Sequence, residues 1–121
     1  MARRDITGAV NFAVLEAYTA GDQSVIEEVL DLFRQQVELW TPMLEPESEG
    51  WRDAAHSVKG AAAGIGAEAL SRVCGEAEVT PDSLAGPVLH RVRSALDAAM
   101  ADVAAYQHEQ MLQSLKSPRP L

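Results

Sequence analysis

The chain has 121 residues, 47% of them hydrophobic and 23% charged, which is typical of one compact globular domain. Its formal net charge of -8 argues against nucleic acid as a partner, because a phosphate backbone repels a negative surface. A single cysteine, Cys74, excludes an internal disulfide, and we expect a reducing, cytoplasmic setting. No apolar run approaches the roughly 20 residues of a membrane span, so we expect no membrane association.

The two ends of the chain show no helical periodicity. Residues 1–10 are predicted to be a loose lead-in, and no long apolar segment follows their basic start, so a signal peptide is not expected. Residues 116–121 are predicted to be a flexible tail. Between them, residues 11–115 are predicted to form a single domain that begins with a short helix over residues 11–19.

The second predicted helix is long and strongly amphipathic. Asp22 is a good N-cap for it, and its apolar residues recur at spacings of three, four and seven as far as about Leu44. Pro42 should kink or fray the last turn, and Pro46 should end the helix.

Three further helices complete the predicted fold. They are expected over residues 48–66, over residues 67–79, and from Ser83 or Pro87 to about Leu115. Gly66 is a possible bend between the first two of these, and no strand-like alternation occurs between turn signals. The sequence therefore predicts an all-α fold, an antiparallel four-helix bundle with a short additional N-terminal helix.

The third long helix carries a lone histidine, His56, on the face opposite its apolar stripe. At about 100° per residue, His56 lies about 160° from the centre of that stripe. Gly60 and Ala63 share the histidine's face. Arg52 lies one turn before it, and Lys59 follows at the i+3 position. Glycine inside a helix costs about 1 kcal/mol relative to alanine, so Gly60 indicates that something approaches the helix closely beside His56.

An exposed imidazole can act as a nucleophile, a general base, a metal ligand or a pH switch. A metal site is disfavoured because no second histidine follows at i+4, and His90 and His108 are distant in sequence. Hydrolysis is disfavoured because Ser57 points about 100° away from His56. Covalent phosphate transfer fits better, since the ammonium of Lys59 would offset the charge of a phosphorylated ring. A structural or incidental histidine stays open as the alternative.

The residues around the histidine resemble the motif of histidine phosphotransfer (Hpt) domains, which is approximately H-x-x-K-G, then small residues, then an apolar residue and a glycine. The resemblance runs from about Phe12 to about Val103. It rests on His56-Ser57-Val58-Lys59-Gly60, Gly66, Ala54-Ala55, Gly21-Asp22 and the helix that contains Phe33.

The resemblance implies a phosphocarrier built on a four-helix bundle. His56 would accept a phosphoryl group from a receiver-domain aspartate and pass it to another receiver domain. Lys59 would stabilise the phosphate charge, and Gly60 would give steric clearance. The resemblance further implies no kinase activity, no nucleotide binding and no cofactor in this chain, with Mg²⁺ held by the receiver. The implied partners are response-regulator receiver domains and a hybrid histidine kinase, and the implied state is a monomer.

Two positions depart from the family pattern. Ala61 stands where several members have serine, and Glu78 stands where some have a glutamine that hydrogen-bonds the histidine ring. A carboxylate could hold an imidazole N–H but would repel a phosphate, so the role of Glu78 stays open. Four residues near the histidine are predicted to contact the partner: Arg52, Ala63, Gly64 and Ala67.

A docking patch is also predicted on the second helix, where four apolar residues flank the core stripe by about 80–120°. They are Val25, Leu32, Leu39 and Met43. Either they lie exposed beside His56 and bind a receiver, or the N-terminal helix covers them. Two other functions compete with the phosphocarrier: a non-enzymatic helical adaptor whose histidine is never phosphorylated, and a helical metalloprotein.

Overall fold

The computed structural model describes residues 6–116, which contain α-helices, two 3₁₀ turns and no strand. The predicted all-α class is confirmed. Within these residues no helix combines the length and the apolarity that crossing a membrane requires. The helices are α1 Phe12–Tyr18, α2 Gln23–Trp40, α3 Trp51–Ile65, α4 Glu68–Glu78 and α5 Ala85–Lys116, with 3₁₀ turns at Thr41–Met43 and Asp82–Leu84.

The start of α2 follows the predicted capping. The Asp22 side chain accepts hydrogen bonds from the backbone N–H groups of Ser24 at 3.0 Å and Val25 at 3.3 Å. These bonds satisfy donors that the first helical turn leaves unpaired. The pKa of Asp22 is lowered first by the Ser24 hydroxyl, which donates to it at 2.8 Å, and then by these backbone hydrogen bonds.

Two boundaries differ from the prediction. The α-helical part of α2 ends at Trp40 rather than near Leu44, because Pro42 has no N–H to donate and the chain tightens into a 3₁₀ turn. The third helix begins at Trp51 rather than at the predicted residue 48. The Ser48 hydroxyl lies before the helix and accepts a hydrogen bond from the Gly50 N–H at 3.3 Å.

The long helices pack around one hydrophobic core. Helix α3 contacts both α2 and α4, and α4 contacts α5. Helices α2 and α5 run in opposite directions, since Gln23 at the start of α2 bonds Gln110 near the end of α5, whereas Arg93 earlier in α5 bonds the Leu44 carbonyl beyond the end of α2. Fully buried core residues include Leu15, Ile26, Leu30, Ala54, Ala55, Leu89, Val92 and Tyr106.

Helices α3 and α4 are joined by a bend at Gly66, as predicted. Gly66 has φ +82°, in the left-handed region that glycine adopts without strain. Its carbonyl accepts a hydrogen bond from Asn11 N–H at 2.9 Å, and a Cβ at Gly66 would lie 2.6 Å from the Asn11 carbonyl oxygen. The glycine ten residues after His56 is therefore required by this bend and by the close approach of the segment before α1.

The segment before α1 is fixed by a buried carboxylate. The prediction of a loose lead-in over residues 1–10 is therefore wrong for residues 6–10, the half that the structure describes. Asp102 of α5 is completely buried. It accepts hydrogen bonds from the Thr7 N–H and hydroxyl at 2.8 and 3.0 Å, from Gly8 N–H at 3.2 Å and from Val10 N–H at 3.0 Å. Apart from Lys116, which ends α5, the predicted tail over residues 116–121 lies outside the described residues.

Candidate functional site

His56 lies in the middle of α3 and faces solvent, with 69% of its side chain exposed. The flanking residues of α3 explain this orientation, because Ala54, Ala55 and Val58 are buried in the core and turn the histidine to the opposite side. The helical pattern therefore placed the imidazole correctly.

Glu78, the last residue of α4, holds the imidazole from the neighbouring helix. Its Oε2 lies 2.9 Å from His56 Nδ1. A carboxylate can only accept a hydrogen bond, so we assign the proton of the neutral ring to Nδ1. Nε2 then carries the unprotonated lone pair, and this is the form in which an imidazole acts as a nucleophile.

The same carboxylate pairs with the lysine of the motif. Lys59 Nζ lies 2.5 Å from Glu78 Oε1, so one carboxylate bridges the histidine and the lysine. The hydrogen bond from Lys59, and then that from His56, hold the pKa of Glu78 below its ordinary value. Glu78 is therefore ionised at neutral pH, and Lys59 balances its charge beside the ring.

Two glycines leave the α3 surface open on the side of His56, Gly60 one helical turn after the histidine and Gly64 two turns after it. Gly60 and Gly64 are exposed, and a Cβ added at either would meet no atom of residues 6–116 within 4 Å. Packing among these residues therefore does not require a glycine at either position. Ala63 is likewise exposed on this side of α3. The result is a low surface on which an incoming molecule can approach the helix backbone.

Two of the predicted partner-contact residues are used inside the molecule. Ala67 is completely buried and precedes the first residue of α4, so its prediction as a partner contact is wrong for this structure. Arg52 is partly exposed, but its guanidinium donates to Asp82 Oδ1 at 2.8 Å and to the Thr80 carbonyl. The sequence placed Arg52 beside the histidine and did not reveal these partners.

An apolar groove lies between α2 and α3. It is lined by Tyr18, Val29, Leu32, Phe33, Gln36, Gly60, Ala61, Gly64 and Ile65. Of the predicted docking patch, Val25, Leu32 and Leu39 are exposed, with Leu32 at 56% and Leu39 at 63%. The short helix α1 therefore does not cover them, whereas Met43 is partly buried against the core.

Metal-binding side chains do not cluster in the described part of the chain, where no three His, Cys, Asp or Glu residues come together to hold an ion. Cys74 is buried, and desolvation raises the pKa of its thiol to about 12. The thiol is therefore protonated at neutral pH, which makes it a poor metal ligand.

Comparison with known proteins agrees with this geometry. A model of the Hpt domain family matches residues 23–116, which include the whole of α2 to α5. The chain belongs to the Hpt family. The crystal structure of the histidine phosphotransferase ShpA from Caulobacter crescentus, at 1.52 Å resolution, is 55% identical to this Hpt protein with a TM-score of 0.81. The match covers 89% of this chain and 99% of that chain. No curated protein matches the chain.

The family and this relative assign the chain a histidine phosphotransfer role in phosphorelay signalling. The Hpt proteins of phosphorelays interact with receiver domains and histidine kinases. The adaptor with an unphosphorylated histidine is not favoured.

Of the two contacts that Glu78 makes, the sequence indicates only the one with His56. Two helices that fold back on each other bring together residues equally distant from the bend. His56 lies 10 residues before the bend at Gly66 and Glu78 lies 12 residues after it, which are nearly equal distances. This symmetry predicts the contact between them. It does not predict that Lys59, one turn further along α3, also reaches the carboxylate.

Proposed function

We propose that His56 is the phosphoacceptor and that its Nε2 is the attacking atom. The observation that carries this proposal is the 2.9 Å contact between His56 Nδ1 and Glu78, because it leaves the Nε2 lone pair free in the neutral ring. The 69% exposure of the side chain lets a phosphoryl donor reach that nitrogen.

In the transfer step the Nε2 lone pair forms a bond to phosphorus. The bond between phosphorus and the aspartyl oxygen of the donor receiver breaks, and the electron pair leaves with the aspartate carboxylate. The ring now bears the phosphoryl group on Nε2 and keeps its proton on Nδ1, so it carries a positive charge that Glu78 stabilises. Transfer to a second receiver is the reverse step, with that receiver's aspartate as the nucleophile.

Lys59 and Gly60 support this step in different ways. The side chain of Lys59 is partly exposed, at 37%, and its ammonium can turn from Glu78 towards the phosphoryl oxygens. Glu78 does not block the phosphate, since it contacts Nδ1 and the phosphoryl group is bound across the ring at Nε2. Gly60 leaves space beside the histidine for the phosphoryl group and the receiver's active site.

The receiver is proposed to dock on the face formed by α2 and α3. The apolar side chains of Leu32 and Leu39 and the low surface at Ala63 and Gly64 fit the exposed, weakly polar contact area of a transient partner. A hybrid histidine kinase would supply the first receiver. The Mg²⁺ required for transfer would be held by the receiver, and this chain would act as a monomer without kinase activity or bound nucleotide.

Incubation with a phosphorylated receiver domain tests the assignment. We expect acid-labile, base-stable phosphate on the wild-type chain and none on His56→Gln, because the bond formed is a phosphoramidate. The chain offers two matched controls, His90→Gln and His108→Gln, which change other exposed histidines and should be labelled like wild type. Label that persists in His56→Gln would remove His56 from the role, and label from ATP alone would contradict the absence of kinase activity.

A further inference from the structure

We propose that Arg52 is a positioning residue that holds Glu78 against His56 by fixing the chain immediately after α4. This inference rests on the proposed function, since it concerns the orientation of the same imidazole. Arg52 contacts neither the histidine nor the glutamate in the contacts described above, so its effect would pass through the backbone.

Glu78 sits where a helix is least constrained. It is the last residue of α4, and the final turn of a helix leaves carbonyl groups without intrahelical partners. Two backbone hydrogen bonds that each span three residues close this turn, from Val79 N–H to the Glu76 carbonyl at 3.2 Å and from Thr80 N–H to the Ala77 carbonyl at 3.1 Å. Without further support, such a terminus frays, and Glu78 would move with it.

Arg52 supplies that support from α3. Its guanidinium donates to the carbonyl of Thr80, two residues after Glu78, and to Oδ1 of Asp82 at 2.8 Å. Both acceptors belong to the segment that connects α4 to α5. Arg52 is also close to the histidine along α3, one helical turn before His56. One side chain thus ties the end of α4 to the helix that carries the histidine.

The guanidinium is itself held in place. It stacks over the ring of Trp51 at 4.3 Å from the ring centroid, and Trp51 is buried with only 4% of its surface exposed. The ion pair with Asp82 is exposed and would contribute little to stability by itself. Its orientation on a rigid ring suits a positioning role better than a stabilising one.

The effect of Arg52 on the ring can be measured without any phosphate, through the position of the imidazole proton. The ¹⁵N chemical shifts of the His56 imidazole, recorded at a pH where the ring is neutral, report the share of molecules with the proton on Nδ1. Glu78→Ala defines the value for an unheld ring. We expect Arg52→Ala to move the shifts part of the way towards that value and Arg52→Lys, which keeps the charge and one donor nitrogen, to move them less.

Arg91→Ala is the matched control. Arg91 of α5 forms an ion pair with Glu76 of α4 at 2.8 Å, so its removal also breaks an arginine contact to α4, but it leaves the Thr80 carbonyl bonded to Arg52. We expect wild-type imidazole shifts in this variant. If Arg52→Ala proves too unstable, Asp82→Ala removes one of the two acceptors and should give an intermediate shift.

A double-variant comparison tests whether Arg52 acts through Glu78. Arg52→Ala should slow phosphoryl transfer roughly three- to tenfold in the wild-type background, and it should have no further effect when Glu78→Ala is already present. Wild-type imidazole shifts in folded Arg52→Ala, or equal slowing in both backgrounds, would overturn the proposal. If His56 proved not to be the phosphoacceptor, the transfer rates would no longer report on its ring, but the imidazole shifts would still decide the role of Arg52.

Discussion

Glu78 contacts the histidine and the lysine of the α3 motif at once, with His56 Nδ1 at 2.9 Å from Oε2 and Lys59 Nζ at 2.5 Å from Oε1. The ion pair cancels the negative charge that would otherwise face an incoming phosphate. The hydrogen bond selects the imidazole form whose Nε2 is nucleophilic. One carboxylate thus orients the ring, and the lysine paired with it offsets the repulsion between that carboxylate and the phosphate.

Two substitutions at Glu78 separate these effects. Glu78→Gln keeps a carbonyl oxygen that can accept from Nδ1 but loses the ion pair, and we expect transfer within about threefold of wild type, since the main hydrogen bond survives. Glu78→Ala loses both contacts and should slow transfer roughly ten- to a hundredfold, the size of a lost hydrogen bond to a charged group. Rates are measured with a phosphorylated receiver in excess. Equal rates for wild type and Glu78→Ala would show that the ring needs no orienting group.

Glu78 should stabilise the fold at neutral pH, and this contribution should be lost as the pH falls below about 5. The pKa of Glu78 is lowered in the folded chain by Lys59 and His56, so the unfolded chain takes up the proton more readily. The stabilisation is therefore present above the ordinary carboxyl range and is lost as the pH falls through it. Urea unfolding of wild type and Glu78→Gln from pH 7 to pH 3 should show a difference in free energy that shrinks with falling pH. The pKa of Asp22 is also lowered in the folded chain, but both proteins contain Asp22, so its effect on stability cancels in the difference between them. A difference that grows as the pH falls would contradict the assignment.

The sequence predicted most of what periodicity and capping control. The all-α class, the Asp22 cap, the Gly66 bend and the outward direction of His56 follow from residues within one or two turns of each other. Contacts between distant segments were not predictable in the same way. The burial of Ala67, for example, depends on how closely α3 and α4 meet at their bend.

Long-range polar contacts were the least visible part of the site. Arg52 looks like an exposed basic residue in the sequence, and only the three-dimensional fold brings the Thr80 carbonyl to it. Asp102 is an acidic residue on the apolar stripe of α5, which is the pattern of a buried polar group with partners elsewhere. Its partners, more than 90 residues away, could not be read from that pattern.

Gly60→Ala should make the chain more stable and less active. Alanine is favoured over glycine in a helix interior by about 0.5–1 kcal/mol, and the added methyl group meets no atom within 4 Å in the described part of the chain. The same methyl group would fill the space proposed for the phosphoryl group, so we expect transfer to fall roughly tenfold or more. Thermal unfolding and the rate of transfer measure the two effects.

Gly64→Ala is the matched control for Gly60→Ala, since its Cβ is equally free and it lies two helical turns from His56. It should give a similar gain in stability with a smaller loss of transfer. Equal losses at both positions would place the effect in receiver docking along the groove rather than in clearance beside the phosphate.

Ala63→Arg tests receiver docking on the α2 and α3 face. Ala63 is exposed, so the new side chain can extend into solvent and the unfolding midpoint should not change. In a complex the arginine would stand between the two surfaces, and we expect transfer to fall at least about tenfold. Ala104→Arg, which adds the same charge at an exposed position of α5, should transfer at the wild-type rate. Normal transfer in Ala63→Arg would exclude this face as the docking surface.

Asp102→Ala should be the most destabilising of these substitutions. Asp102 is fully buried and accepts four hydrogen bonds from Thr7, Gly8 and Val10, so its removal leaves several donors without a partner. We expect a loss of about 2–4 kcal/mol in the free energy of unfolding, measured with urea. Asp97→Ala, at an exposed position of the same helix, should change stability by less than about 0.5 kcal/mol. Since Asp102 ties the segment before α1 to α5, Asp102→Ala should also increase amide hydrogen exchange at Val10 more than at Val58. A uniform increase at both amides would mean that Asp102 stabilises the whole bundle rather than this segment.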